Sequence, residues 1–260
     1  AAEFGFAHFP QVQTNALGTP LISSIFALGR ALNDSPYLAY VNADILLFPD
    51  FVECTRRVGE AVQRFLIVGR RWDLRVEEAL HFDPHGQAAL LERLRTAGQP
   101  HARTGSDYFI FPRACFEQIP DFTVGRAGWD NWMIYYARAQ GWHTIDASAD
   151  LTIIHQEHDY SHLPNGQPHY RLPETGENVR LAGGWRTIFT LDDASHQLRG
   201  GIISRFPGSW NKFWREVQNF PLLHWKKYAL TQALFAFFHP KRAWGEFWKN
   251  RAFKKAGQGA

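Results

Sequence analysis

The stretch Tyr37 to Phe51, YLAYVNADILLFPDF, decides how the chain is read. Apolar residues on both parities of Leu38-Ala39-Tyr40-Val41 predict a strand buried on both faces, as in a parallel sheet covered by helices. Asn42-Ala-Asp44 interrupts the run at its far end. An ionised carboxylate there must reach solvent, a hydrogen-bonding network or a bound cation, because an unpaired buried charge is costly. The mouth of a sheet is also where ligands bind. An Asp at a strand end is more often a turn former or a helix cap, so Asp44 gains weight as a site residue only from its company.

On either side, strand and helix signals alternate through about the first 150 residues, which favours an α/β layered domain. Thr19-Pro20 reads as an N-cap and first-turn proline, with Leu21, Ile25, Leu28 and Leu32 as the apolar face of the helix that follows. Asp50 and Glu53 form a capping-box-like pair opening a helix over 51–64, and 65–69 is the next strand. Residues 70–104 read as an excursion with one helix over 87–96. Strands are expected at 108–111, 144–146 and 151–154, the last delivering His155, and a helix at 129–139 stopped by Gly141. Pro, Gly and Asn make 163–182 a loop, and helical periodicity returns from Trp210.

Composition excludes several classes. Of the 260 residues 45% are apolar, with ten Trp and twenty-one Phe, so the chain is neither disordered nor fibrous. The net charge of +3 is unevenly spread: residues 199–260 carry twelve Lys and Arg against Glu216 and Glu246, a balance of +10, which leaves −7 on 1–198. Cys54 and Cys115 give no disulfide framework and no metal spacing, which points to a reducing compartment. No run approaches the roughly twenty apolar residues that span a bilayer, and no signal peptide opens the sequence. A cytoplasmic protein, peripheral at a membrane, is the expectation.

Asp44 is the first candidate for chemistry, as an oxygen ligand for Mg2+ or Mn2+; such hard ions complete their shells with water and substrate phosphates, so one or two protein ligands suffice. His155, at the end of another strand, suits Mn2+ as a nitrogen donor or is simply hydrogen-bonded in the sheet. Asp130, in Gly128-Trp-Asp-Asn-Trp132, stands in the first turn of a helix, where an acid either complements the helix dipole or serves as a general base for an attacking hydroxyl. The paired Trp129 and Trp132 supply an aromatic wall for such a pocket or fill the core, core packing being favoured for Trp132. Asp107, just before a strand, is a turn residue or a ligand for sugar hydroxyls. Arg70 and Arg71 follow a strand and suit phosphate or form a solvated charge pair. His155, His158 and His162 are spaced by three and four; the preceding residues are strand-like and the HExxH order is absent, so a loop folding over a sugar or phosphate, with His158 in it, fits better than zinc.

With these residues assembled, the chain resembles the GT-A class of nucleotide-sugar-dependent glycosyltransferases, and more loosely its large family 2-like group. Asn42-Ala-Asp44 looks like a variant of the Asp-x-Asp metal motif with Asn in the first acidic position. Gly128-Trp-Asp130-Asn looks like the downstream acidic motif that supplies the catalytic base in inverting members, and His155 like the late histidine that many members add to the cation. Asn15-Ala-Leu-Gly18 looks like the Asn-containing turn before the first helix. The likeness covers roughly Asn15 to His162. The sequence departs from the class at its start: members usually open with a strand-helix-strand unit that holds the nucleotide base, whereas this chain is expected to start inside the domain, at Ala1 to Pro10, so that the unit was removed, base binding is rebuilt, or no nucleotide sugar is used.

The resemblance implies a GT-A-like (Rossmann-like) mixed sheet flanked by helices over residues 1–198, with a basic, aromatic helical appendage over 199–260. It implies transfer of a sugar from a nucleotide-sugar donor to a glycan or lipid-linked acceptor, assisted by a divalent cation (Mn2+ or Mg2+). Asp130 would be the base, Asp44 and His155 the metal ligands, Asn15, Asn42, Asp44 and Arg70 the donor contacts, and Asp107, Trp129, Asn131 and His158 the acceptor contacts. Two other readings compete: a non-catalytic sugar- or nucleotide-binding protein of the same fold, and a metal-dependent hydrolase built on the three histidines. The aromatic and basic residues from Arg199 onward suit an anionic membrane surface; no recognition module for nucleic acid is present.

Overall fold

A computed structural model describes residue 3 and residues 5–81, 83–157 and 172–256, with side chains given up to 248 and at 251. The expected α/β architecture is present. Six strands form a mixed sheet in the order β1-β6-β3-β7-β9-β10: β1 (Tyr37–Val41), β6 (Tyr108–Pro112), β3 (Phe65–Val68), β7 (His143–Asp146), β9 (His196–Arg199) and β10 (Ile202–Arg205). β3, β7 and β9 run parallel, whereas β1 and β6 are antiparallel to their neighbours. A second sheet has the order β2-β8-β4-β5, from β2 (Ile45–Leu47), β8 (Ile153–Gln156), β4 (Trp72–Leu74) and β5 (Gln99–Pro100). Helices flank these sheets, an arrangement compatible with a Rossmann-like fold.

The central strands show why the layers form. β3 and β6 are buried along their whole length, and alternate side chains point to opposite faces. Leu66, Val68, Phe109 and Phe111 enter one core with Ile22 and Phe26 of α1 (Ile22–Ala31) and Trp132 and Met133 of α4 (Trp129–Ala139). Phe65, Ile67, Tyr108 and Ile110 enter the opposite core with Cys54 and Val58 of α2 (Asp50–Ala61). A third cluster joins Leu74 and Ile154 of the small sheet to Leu94 of α3 (Pro84–Ala97).

Several local expectations change. Among the described residues β1 is an edge strand with only β6 beside it, and none of its residues is fully buried, so its apolar run reflects packing below an open edge rather than a doubly covered position. Thr19-Pro20 does not open α1. Bridges from Pro20 to Thr14 and from Leu21 to Thr123 keep that segment extended, the helix starts at Ile22, and its buried face carries Ile22 and Phe26 while Leu32 is exposed. Asp50 does not cap α2: its carboxylate accepts from Thr152 N at 3.0 Å, and Glu53 pairs instead with Arg56 and Arg57. The described part of 163–182 is a helix, α5 (Pro173–Leu181), begun by a proline whose fixed φ suits the first turn.

The hairpin β9–β10 was not anticipated. Gly200 and Gly201 both have positive φ, as a two-residue hairpin turn requires, and their amides donate to Asp150 at 2.8 and 2.6 Å. Position 198/199 therefore falls within β9. The helices that follow are α6 (Trp210–Trp225), α7 (Tyr228–Phe238) and α8 (Pro240–Ala256). Leu222 and Leu223 of α6 join the main core, and Arg215 grips Asp193 through two bonds of 2.5 Å.

Candidate functional site

Strand pairing assembles the site. β8 lies between β2 and β4, so His155 stands opposite Ile45 on one side and Asp73 on the other. Asp44 immediately precedes β2 and accepts Gln156 N at its backbone oxygen. His155 Nε2 is 3.2 Å from Asp44 Oδ2, and its Nδ1 is 3.2 Å from Asp73 Oδ1. Just past the next strand out, His101 Nδ1 donates to Asp73 Oδ2 at 2.7 Å. Four neighbouring strands, two of them through the residue at their end, thus bring Asp44, His155, Asp73 and His101 into one row.

The large sheet supplies the opposite wall. β1 ends against the start of β6, where Asn42 N donates to Asp107 O at 3.0 Å and Asn42 Nδ2 to Asp107 Oδ1 at 2.8 Å. Arg71 ties the walls together, donating to Asp73 Oδ1 at 2.8 Å and to Asp107 Oδ1 at 2.7 Å. Burial would raise the Asp73 carboxyl, but the hydrogen bond from His101 and the charge of Arg71 outweigh it and hold the group below its ordinary range. The buried Oδ2 of Asp107 has no hydrogen-bond partner among the described residues.

Asp130 approaches from α4. Gly128, at φ 114, turns the chain into the helix, and its amide donates to Asp130 Oδ1 at 3.2 Å. Burial, assisted by the negative charge of Asp107, pushes the Asp130 carboxyl up to about 6 against the pull of backbone amides at the helix start. Burial, and then the negative charges of Asp107, Asp130 and Asp44, raise the Tyr40 phenol. Its ring meets Trp129 edge-on at 4.8 Å.

Not every expected residue joins this cluster. Asn15 closes its own turn, accepting from Leu17 N and Thr19 N, and donates to Glu174 at 2.6 Å; Arg126 holds the other oxygen of Glu174. Arg70 donates to the backbone oxygens of Pro100 and His101, so it is Arg71 that reaches the acidic groups. Trp129 is buried beneath the site against Tyr40 and Phe109, and Asn131 fastens α4 to the backbone oxygens of Thr104 and Phe189. His158 and His162 lie outside the described residues. Asp73, His101 and Tyr40 carry no local motif; only pairing between segments some eighty residues apart brings Asp73 to His155.

Among the described residues no group of three or more His, Cys, Asp or Glu is arranged to hold a metal ion. The pair Asp44 and His155 nevertheless fits a hard cation. Adjacent ligands at about 2.1 Å in an octahedron stand about 3.0 Å apart, close to the observed separation of 3.2 Å. A carboxylate behind the second ring nitrogen, as Asp73 stands here, is the usual support of a metal-binding histidine. Comparison of the chain with protein-family models, curated proteins and solved structures gives no match.

Proposed function

We propose that the chain is a GT-A-type glycosyltransferase that moves a sugar from a nucleotide-sugar donor to a hydroxyl of a glycan or lipid-linked acceptor. The observation that carries this reading is the linked set Asp44, His155, Asp73, Arg71, Asp107 and Asn42, joined by contacts of 2.7 to 3.2 Å, with Asp130 close enough to feel the charge of Asp107. Transfer needs positive charge near the departing diphosphate and a base near the acceptor, and this arrangement separates the two tasks between different elements.

Asp44 and His155 would hold Mn2+ or Mg2+, whose charge offsets that of the leaving diphosphate. Asn42, held by Asp107, orients the loop that carries Asp44. Arg71 keeps the two acidic walls in register. Asp130 accepts the acceptor's proton as its oxygen attacks; a carboxyl raised to about 6 is a stronger base than a solvated one and still ionised at neutral pH. Trp129 and Tyr40 pack edge-on at 4.8 Å, Trp129 buried beneath the site.

Calorimetric titration with UDP, GDP and their sugar conjugates, with Mn2+ and with chelator, tests the reading on the wild type and on Asp44→Ala. Metal-dependent binding of one nucleotide, lost in the variant, is the expected result. Binding without turnover of the sugar conjugate, across a panel of acceptors, would favour a non-catalytic binding protein instead.

A further inference from the structure

We propose that α6, α7 and α8 form a docking face for an anionic phospholipid bilayer. The first observation is a continuous aromatic surface. Trp210 contacts Phe213 at 5.6 Å and Trp214 at 5.5 Å between ring centroids, Trp214 reaches Phe238 of α7 at 5.4 Å, and Phe238 meets Phe237 at 5.2 Å. Trp210 and Phe237, at the two ends, are 72% and 80% exposed, and Trp214 between them is half-buried. On α8, Trp244, Phe247 and Trp248 repeat the arrangement at helical spacing, and each is at least half exposed.

The second observation is the direction of the charges. Residues 199–260 hold twelve Lys and Arg and two acids. Both acids turn toward the rest of the molecule: Glu216 pairs with Arg138 and Lys212, and Glu246 with Arg186. The outward side is left to cations, with Lys226, Lys227, Lys241, Arg242 and Arg251 all exposed. A cleft of about 610 Å³ connects the two features. Trp214 of the aromatic surface lines it together with Lys212, Arg215, His239 and Arg242, while Asp192, also on its wall, is engaged by Arg103.

Rings that are exposed, ganged and bordered by cations suit the boundary between lipid headgroups and acyl chains, where Trp in particular is favoured. Each basic residue near such a surface strengthens attachment to anionic lipid. No described helix is long and apolar enough to cross a membrane, which leaves lying in the interface as the mode of contact.

Flotation of the full chain with vesicles tests the inference, using phosphatidylcholine alone and phosphatidylcholine mixed with phosphatidylglycerol. The chain is expected to float with the anionic vesicles and to stay in the soluble fraction with the neutral ones. Trp210→Ala with Phe213→Ala, and separately Lys241→Glu with Arg242→Glu, should each weaken binding on the order of tenfold with unchanged circular dichroism. Recovery of the wild type in the soluble fraction with anionic vesicles would overturn the inference. So would unchanged binding in both variants, tighter binding to a single-stranded oligonucleotide, or self-association that buries the same tryptophans. The inference does not rest on the transfer reading, and because flotation involves no turnover either can fail alone.

Discussion

Nδ1 of His155 lies 3.2 Å from Oδ1 of Asp73, on the strand beside it. The contact leaves Nε2 directed at Asp44 and fixes the ring between two carboxylates. It makes Asp73 a positioning residue for the candidate cation site, although it lies in a segment whose sequence suggests only an excursion.

Asp73→Asn is expected to lower Mn2+ affinity by about 10- to 100-fold, the usual effect of removing the partner of a ligating histidine. Titration of Mn2+ by electron paramagnetic resonance reads this directly. Unchanged affinity would remove Asp73 from that role. Because the Asp73 carboxyl is held below its ordinary range, its contribution to stability is present above the unfolded value and lost as pH falls through the folded one. The stability gap between wild type and variant should therefore close in acid.

Asp130→Asn is expected to reduce turnover by about 10²- to 10⁴-fold, the range for a general base, while donor affinity stays unchanged. In the wild type, kcat/KM should fall on the acid side with an apparent pKa of about 6. Turnover of the variant near the wild-type level would exclude Asp130 as the base.

The same carboxyl makes a separate prediction for stability. Its folded value of about 6 lies above the ordinary 3.8, so the ionised form is disfavoured in the native state and its cost grows as pH rises from about 4 to about 6. Asp130→Asn should gain stability relative to wild type over that interval, reaching about 3 kcal/mol at neutral pH, less a few tenths for the lost interaction with the helix dipole. Urea unfolding at pH 4 and pH 7 measures the difference. A gap independent of pH would show that the carboxyl is not raised.

Asn178 is fully buried in α5, donates to Thr123 O at 3.0 Å and accepts Thr123 N at 2.9 Å. Asn178→Ala leaves both backbone groups unsatisfied and should destabilise by about 2 to 4 kcal/mol, seen as a lower melting temperature. An unchanged melting temperature would mean that water replaces the amide.

Local chemistry made part of this protein legible. The helix over 129–139 is bounded by glycines and begins and ends where the sequence predicts, and β3 and β6 were visible as short apolar runs. Asp44, Asp107, Asp130 and His155 stood out because a polar group beside buried apolar residues needs a reason to be there. By contrast, Asn15 and Arg70, picked from their places beside a turn and a strand, are occupied by neighbouring carboxylate and backbone groups.

The sequence by itself determined the layered α/β character, the main strands and helices, and the contrast between an acidic first part and a basic, aromatic end, because these follow from periodicity, turn residues and composition. Only the tertiary structure decided that β1 lies at an edge, that Arg71 rather than Arg70 links the acidic walls, and that Asp73 and His101 complete the row begun by Asp44 and His155. Those facts depend on which strand hydrogen-bonds to which across long separations in the chain. Pairing of that kind is set by the summed burial of whole layers, which no short window of residues encodes.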